Sequence, residues 1–251
     1  MLCVGLDPDV SRLPAGYSPD NEGIEWFLTD IIDATADFVC AFKPQIAYFA
    51  ATGAERQLEK LCAYIRDNYP DIPIILDAKR GDIGDTARMY AREAFDRYGA
   101  HAVTVNPYMG TDTIEPYLTH PQGAAVVLCR TSNAGSGDFQ SQEIDGRALY
   151  VHVAERAATQ WATVGDVSLV VGATYPDELA TVREIVGEMT LLVPGVGAQG
   201  GDPDVVVRNG ANSAGNGLVV NSSRAILYAD GGIAGSAREA ERTRDALRAA
   251  F

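Results

Sequence analysis

An α/β fold of the (β/α)8 TIM-barrel class is predicted by three features of this sequence. Eight short apolar runs recur along it, helical patterns separate most of them, and a polar residue closes nearly every run. The runs occupy residues 2–6, 38–42, 72–76, 102–105, 124–128, 167–171, 190–193 and 218–220. Each is almost continuously aliphatic or β-branched, as parallel strands buried on both faces must be. The closing residues, in order, are Asp7, Lys43, Asp77 with Lys79, Asn106, Thr131 with Ser132, Thr174, Gln199, and Asn221 with Ser222. In a (β/α)8 barrel those ends converge on one mouth, where the active site lies.

The intervening segments carry helix signals. Ile24, Phe27, Leu28 and Ile31 trace one helical face behind Asp20 or Asn21, either of which can cap it. Residues 86–98 read as a helix closed by Gly99, and Ser236 with Glu239 forms a capping-box signature for the start of the last helix. No linker, repeat or low-complexity stretch interrupts the alternation, so residues 1–251 are expected to form a single barrel domain.

Composition narrows the function classes. A net charge of −14 disfavours nucleic acid as a partner, since a phosphate backbone needs a basic face. No apolar run is long enough for a membrane span and no secretory signal opens the chain, so a cytoplasmic location is expected. The four cysteines, Cys3, Cys40, Cys62 and Cys129, have no CxxC spacing, which reads as buried thiols rather than a disulfide or zinc framework. His101, His120 and His152 show no metal-ligand spacing, and no metal or cofactor is expected. Lysine is scarce: three residues (Lys43, Lys60, Lys79) against 17 arginines.

The chemistry concentrates in three places. In the segment LDAKRGDIGDT (76–86), residues two apart share a strand face, which places Asp77 and Lys79 with Ile75 toward the barrel interior. Asp82 follows as a second carboxylate, with Gly81 and Gly84 allowing close backbone approach. An ion pair at the barrel rim is the plainer alternative, but Lys43 closes the neighbouring run, so two of only three lysines stand at adjacent strand ends. Arginine binds anions without readily giving up a proton, whereas lysine does both. The third place is VPGVGAQGGDP (193–203), where four glycines and a helix start at Asp202 and Pro203 suit an anion. Arg224 follows the eighth run, and loops after strands seven and eight of barrels commonly hold phosphate.

These segments together resemble the orotidine 5′-phosphate decarboxylase family, in its longer bacterial and archaeal (type 2) branch. The matching stretches are CVGLDPD (3–9), FKPQIAYF (42–49), LDAKRGDIGDTA (76–87), VTVNPYMG (103–110), RTSNAGS (130–136), VPGVGAQGGD (193–202) and VNSSRAI (220–226). They run from the first strand to the eighth. The resemblance implies decarboxylation of orotidine 5′-monophosphate to uridine 5′-monophosphate, the last step of pyrimidine synthesis, without metal or organic cofactor. It implies Lys79 as proton donor to C6, and Asp77 and Lys43 as its charge network. Asp82 and Thr86 would reach in from the neighbouring subunit of a homodimer. Asp7 would contact the ribose and Ser132 the pyrimidine. Gln199, Ser223 and Arg224 would hold the phosphate, with Pro194 in the substrate-binding set.

Two departures accompany the likeness. Family members usually carry a helical segment before the first strand, and Ala134 stands where the family usually has proline. Two other readings stay open at this level. A metal-dependent sugar-phosphate lyase shares the DxKxxD core and is separable by metal removal, although Lys43 stands where an acid would assist magnesium. A nucleotide-binding barrel without catalysis is separable by an assay of the orotate chromophore.

Overall fold

The eight apolar runs become eight parallel strands. The protein is seen here as a computed structural model that describes residues 1–196 and 201–250. The strands are β1 (Leu2–Leu6), β2 (Ala41–Pro44), β3 (Ile75–Arg80), β4 (Ala102–Val105), β5 (Ala124–Arg130), β6 (Val167–Val171), β7 (Leu191–Pro194) and β8 (Leu218–Ser222). Their order around the sheet is β2-β1-β8-β7-β6-β5-β4-β3. Parallel bridges between Phe42 and Ile74 and between Gln45 and Asp77 join its two ends, so the sheet curls into a nearly closed barrel. A helix follows each strand: α1 (Asn21–Thr35), α2 (Glu55–Asn68), α3 (Gly84–Arg92), α4 (Thr111–Leu118), α5 (Leu149–Thr159), α6 (Pro176–Val186), α7 (Pro203–Gly210) and α8 (Gly232–Ala249). Among the described residues no helix is long and apolar enough to cross a membrane.

Local chemistry sets the helix ends. Asp20 caps α1 by accepting from the Gly23 N–H at 2.9 Å, which puts Ile24, Phe27, Leu28 and Ile31 on the buried face. Asp202 caps α7 through the Asp204 N–H, with Pro203 in the first turn. The helix expected over 86–98 begins at Gly84, ends as α-helix at Arg92 and continues as a π-turn, Glu93–Arg97. Gly99 then closes it with φ +59°. The capping box expected at Ser236 is corrected. The last helix begins earlier, because Gly231 and Gly232 adopt φ +94° and +65° and turn the chain sharply into it. Ser236 therefore lies inside the helix, buried, with Oγ donating to Gly232 O.

Strand alternation divides the apolar residues into two layers. Leu2, Val4, Leu6, Phe42, Leu76, Val103, Val127, Leu169, Val193 and Val220 pack outward under the helices in the main core. Cys3, Ala41, Ile75, Val126, Val170 and Leu192 form a separate buried cluster, the apolar plug of the barrel interior. Cys3, Cys62 and Cys129 are buried and unbridged, and burial pushes the thiols of Cys62 and Cys129 up to about 12. These are packing groups.

Arg183 on α6 ties the opposite end of the barrel. Its guanidinium donates to Gly210 O (2.7 Å), Gly187 O (2.6 Å), Met189 O (2.6 Å) and Gly217 O (3.0 Å), joining the ends of α6 and α7 to the entries of β7 and β8. Replacing it by methionine fills similar volume but takes the donor from the Gly210, Gly187 and Met189 carbonyls, while Gly217 O keeps the Leu191 N–H. A carbonyl left unpaired costs about 1–3 kcal/mol when buried. Arg183→Met is expected to lower the unfolding free energy by ~3 kcal/mol or more in urea titrations, with the denaturant slope unchanged.

Candidate active site at the barrel mouth

Above the apolar plug, the same two-residue period delivers a polar layer. Ala41 is followed on its face by Lys43, Ile75 by Asp77, Ala102 by Thr104, Leu192 by Pro194, and Val219 by Asn221. These side chains line a pocket of about 530 Å³ at the C-terminal ends of the strands, together with Asp7, Lys79, Ser132, Ser223 and Arg224. Its apolar wall is Leu128, Val170 and Leu192, and Ser136, Phe139 and Gln140 lie over it from the β5–α5 loop. This is the size and composition of a small-ligand site.

Asp77 is the centre of the polar layer. Its side chain is 9% exposed, and Lys43 Nζ donates to Oδ2 at 2.8 Å while Lys79 Nζ donates to Oδ1 at 2.6 Å. Thr104 Oγ1 donates a further bond to Oδ1 at 2.9 Å. Burial alone would raise the Asp77 pKa, but the two ammonium groups outweigh it and hold the carboxyl well below its ordinary value of 3.8. Burial would likewise lower Lys43; the charges of Asp77 and then Asp7 outweigh it and hold the ammonium above its ordinary 10.5. Both groups are therefore fixed in their charged forms around neutral pH.

Lys79 does not reach this position by regular strand geometry. The β3–β4 register slips between Leu76 and Arg80, and Lys79 adopts φ +46°, a left-handed conformation that costs a non-glycine residue about 1–3 kcal/mol. Thr104 holds the irregularity, since its Oγ1 accepts from both Ala78 N (3.0 Å) and Lys79 N (2.9 Å). The alternation argument thus holds for Ile75 and Asp77, and a bulge carries Lys79. Its ammonium reaches Asp77 while the side chain stays 47% exposed at the mouth.

The opposite wall is built for close approach. A Cβ on Gly5 would stand 1.8 Å from Ser223 Oγ, so the bare glycine makes room for the serine. Asn221 Nδ2 donates to Ser223 Oγ at 3.2 Å. Asp7 Oδ1 is buried with no hydrogen-bond partner among the described residues, as expected of a group whose partner is a ligand.

The structure brings Asp7, Lys43, Asp77, Lys79, Ser132, Pro194, Ser223 and Arg224 onto one pocket. Gln199 lies outside the described residues. Asp82 and Thr86 do not line the pocket: Asp82 is half-buried, accepting from the Ile83 N–H, and Thr86 is exposed in the first turn of α3. Asn106 accepts from the Tyr108 N–H in a turn, and exposed Thr174 is likewise absent from the pocket wall. Thr104 is a site residue that sequence patterning alone does not single out. Its one signal is a lone hydroxyl in an apolar strand, in step with the interior face.

The match to known proteins spans nearly the whole chain. The family model of the Orotidine 5'-phosphate decarboxylase / HUMPS family matches residues 1–240. An orotidine 5'-phosphate decarboxylase of Janthinobacterium sp. (strain Marseille) is 59% identical over 249 residues, covering 98% of this chain and 92% of the relative. That of Ralstonia pickettii (strain 12J) is 60% identical over 250 residues, with the same shares. Among solved structures, the Leishmania donovani OMP decarboxylase superposes with a TM-score of 0.85 at 39% identity, covering 98% of this chain and 93% of that one.

The ion pairs at Asp77 carry a pH signature. Its depressed pKa means that its contribution to stability is fully present above about 3.8 and is lost as pH falls through the lower folded value. The raised Lys43 pKa makes the lysine's share persist up to about 10.5 and fade only above that. The stability difference between wild type and Asp77→Asn, read from denaturant midpoints, is expected to stay level between these limits and to narrow at lower pH.

Proposed function

The chain belongs to the orotidine 5′-phosphate decarboxylase / HUMPS family, and on that premise we propose how its residues divide the work of the reaction. The activity is decarboxylation of orotidine 5′-monophosphate to uridine 5′-monophosphate in pyrimidine biosynthesis. Lys79 is the proton donor to C6. The observation that carries this assignment is its ammonium, 2.6 Å from Asp77 yet still open to the pocket.

Loss of carbon dioxide leaves an electron pair in an sp² orbital at C6, where the ring delocalises it poorly. A cation already in place stabilises that charge as it develops and needs no reorganisation at that moment. Asp77 holds the Lys79 ammonium by a direct ion pair, and Lys43 and Lys79 together keep Asp77 ionised, so the three form one prearranged unit. Proton transfer from Lys79 to C6 then completes the product. Asp7 takes the ribose hydroxyls, which its unpartnered buried oxygen supports. Ser132 meets the pyrimidine and Pro194 shapes the same wall. Ser223 and Arg224, with Gln199, hold the phosphate at the far side of the pocket. Binding energy from that distant group orients the base over Lys79.

The proposed functional unit is a homodimer of single-domain barrels, residues 1–251 each, in which Asp82 and Thr86 complete the partner's pocket. Their absence from the pocket of their own chain supports this. So do the exposed apolar side chains of Ile83 and Met89 on the segment that carries them, and of Tyr108 and Met109 on the loop between β4 and α4, an unusual concentration for a free surface.

Lys79→Ala is expected to lower kcat by at least about 10⁴-fold while circular dichroism and the melting transition stay close to wild type. Loss of orotate absorbance measures the turnover, and near-normal turnover removes Lys79 from the role. Mixing Lys79→Ala with Asp82→Ala protein tests the shared site. In heterodimers one pocket is intact and the other carries both lesions, so random reassortment should restore roughly a quarter of wild-type activity. No recovery, with exchange shown by differently tagged subunits, places Asp82 elsewhere.

A further inference from the structure

The β5–α5 loop carries Ser132 and covers the pocket, and its hold on the barrel is concentrated in one buried cation. Arg130, at the end of β5, is 4% exposed. Its guanidinium lies 3.8 Å from the centroid of the Tyr175 ring. Nη1 donates to Ser136 Oγ and, at 3.5 Å, to Gln140 Oε1, while Nη2 lies 3.5 Å from Glu178 Oε1. Gln140 in turn grips the strand end: Thr131 N donates to its Oε1 at 2.8 Å, and its Nε2 donates to Thr131 Oγ1 at 2.9 Å. The loop is thereby folded back onto the residues that flank Ser132.

Two features point to positioning rather than to bulk stability. The only carboxylate paired with Arg130 among the described residues is Glu178, at long range, and its Nε is buried without a partner. A buried cation that faces a single carboxylate at long range gains little as an ion pair, so its contacts to the loop are the better account of its place there. The second feature is on the other side of the loop root. A Cβ on Gly172 would fall 2.8 Å from Ser132 N and Ser132 Cβ, so the end of β6 is stripped to let Ser132 seat against it. The Gly172 N–H also donates to Arg130 O at 2.7 Å. Ser132 is thus seated against bare backbone on one flank and held by the Arg130 network on the other.

We infer that Arg130 is a positioning residue for the pyrimidine half of the site: through Ser136, Gln140 and the Tyr175 ring it holds residues 131–140 so that Ser132 is presented to the base before substrate arrives. The inference rests on the reading that Ser132 meets the pyrimidine. Arg130 itself does not line the pocket. A planar fork stacked on a ring loses little entropy in holding several acceptors at once, which is why arginine suits this task where lysine does not.

The test compares Arg130→Met, Tyr175→Leu, Ser132→Ala and the Arg130→Met/Ser132→Ala pair. Each is assayed for kcat/KM, with inorganic phosphate as a competitive inhibitor that probes the phosphate half alone. Arg130→Met and Tyr175→Leu are expected to lower kcat/KM by about tenfold or more, with phosphate inhibition unchanged within about twofold. Once Ser132 is alanine, adding Arg130→Met should cost less than about threefold further, because both lesions act through one contact. Effects that multiply in full in the pair overturn the inference, as does equal weakening of phosphate binding. Should Arg130→Met fail to fold, Tyr175→Leu decides alone, and full kcat/KM in that variant is fatal. A Ser132→Ala enzyme at wild-type rate sinks the Ser132 reading first, and the positioning role with it.

Discussion

The lysine pair at the mouth depends on one buried carboxylate. Asp77 accepts three hydrogen bonds from three different strands: Lys43 on β2, Lys79 on its own strand and Thr104 on β4. With a side chain 9% exposed, it meets little water of its own. Taking away Lys43, its buried partner, would leave a buried charge whose desolvation is no longer offset, a loss typically larger than any surface ion pair provides, whereas half-exposed Lys79 can be replaced by solvent. The closure of the barrel serves the same group, because the bridge between Gln45 and Asp77 is where the two ends of the sheet meet. Fold and charge network therefore share one seam.

That seam also accounts for the strain at Lys79. A regular strand would have continued the β3–β4 ladder and kept Lys79 in register. Thr104 instead takes both the Ala78 and Lys79 N–H groups on its hydroxyl, and the chain turns through φ +46°. Three hydroxyl contacts offset part of the conformational cost. The result is an ammonium anchored at one end to Asp77 and open at the other to the pocket. A lysine further along a straight strand would have to choose between burial and solvent.

The strands were legible because a short, continuous apolar run between two helical patterns fits little except a strand buried on both faces. Five of the eight have shifted limits. Each of these runs further toward the mouth, where site residues such as Lys43, residues 77–80 and Pro194 extend the strand beyond its apolar part. Polar strand ends were legible as a set and not singly: Asn106 and Thr174 look like Asp7 in sequence, yet they serve a turn and the exposed surface. Thr104 was hidden by its type, since threonine is ordinary in strands and only three-dimensional pairing reveals what its hydroxyl holds. The early start of α8 was hidden for a different reason. Gly231 and Gly232 turn the chain by backbone freedom alone, which imitates a loop in sequence.

The acidity of the chain makes the pocket's own charges more consequential. A net charge of −14 sets up a field that opposes a phosphorylated, carboxylated substrate, and over distances beyond about 10 Å ordinary salt screens most of it. What remains is the short-range balance within the pocket. Lys43, Lys79 and Arg224 supply three cations there against Asp7 and Asp77. Because Asp77 and Asp7 hold Lys43 charged against its burial, that charge does not relax when an anion approaches. An acidic surface and a small net-cationic pocket are then compatible: the first acts at long range, where salt screens it, and the second at short range inside the pocket.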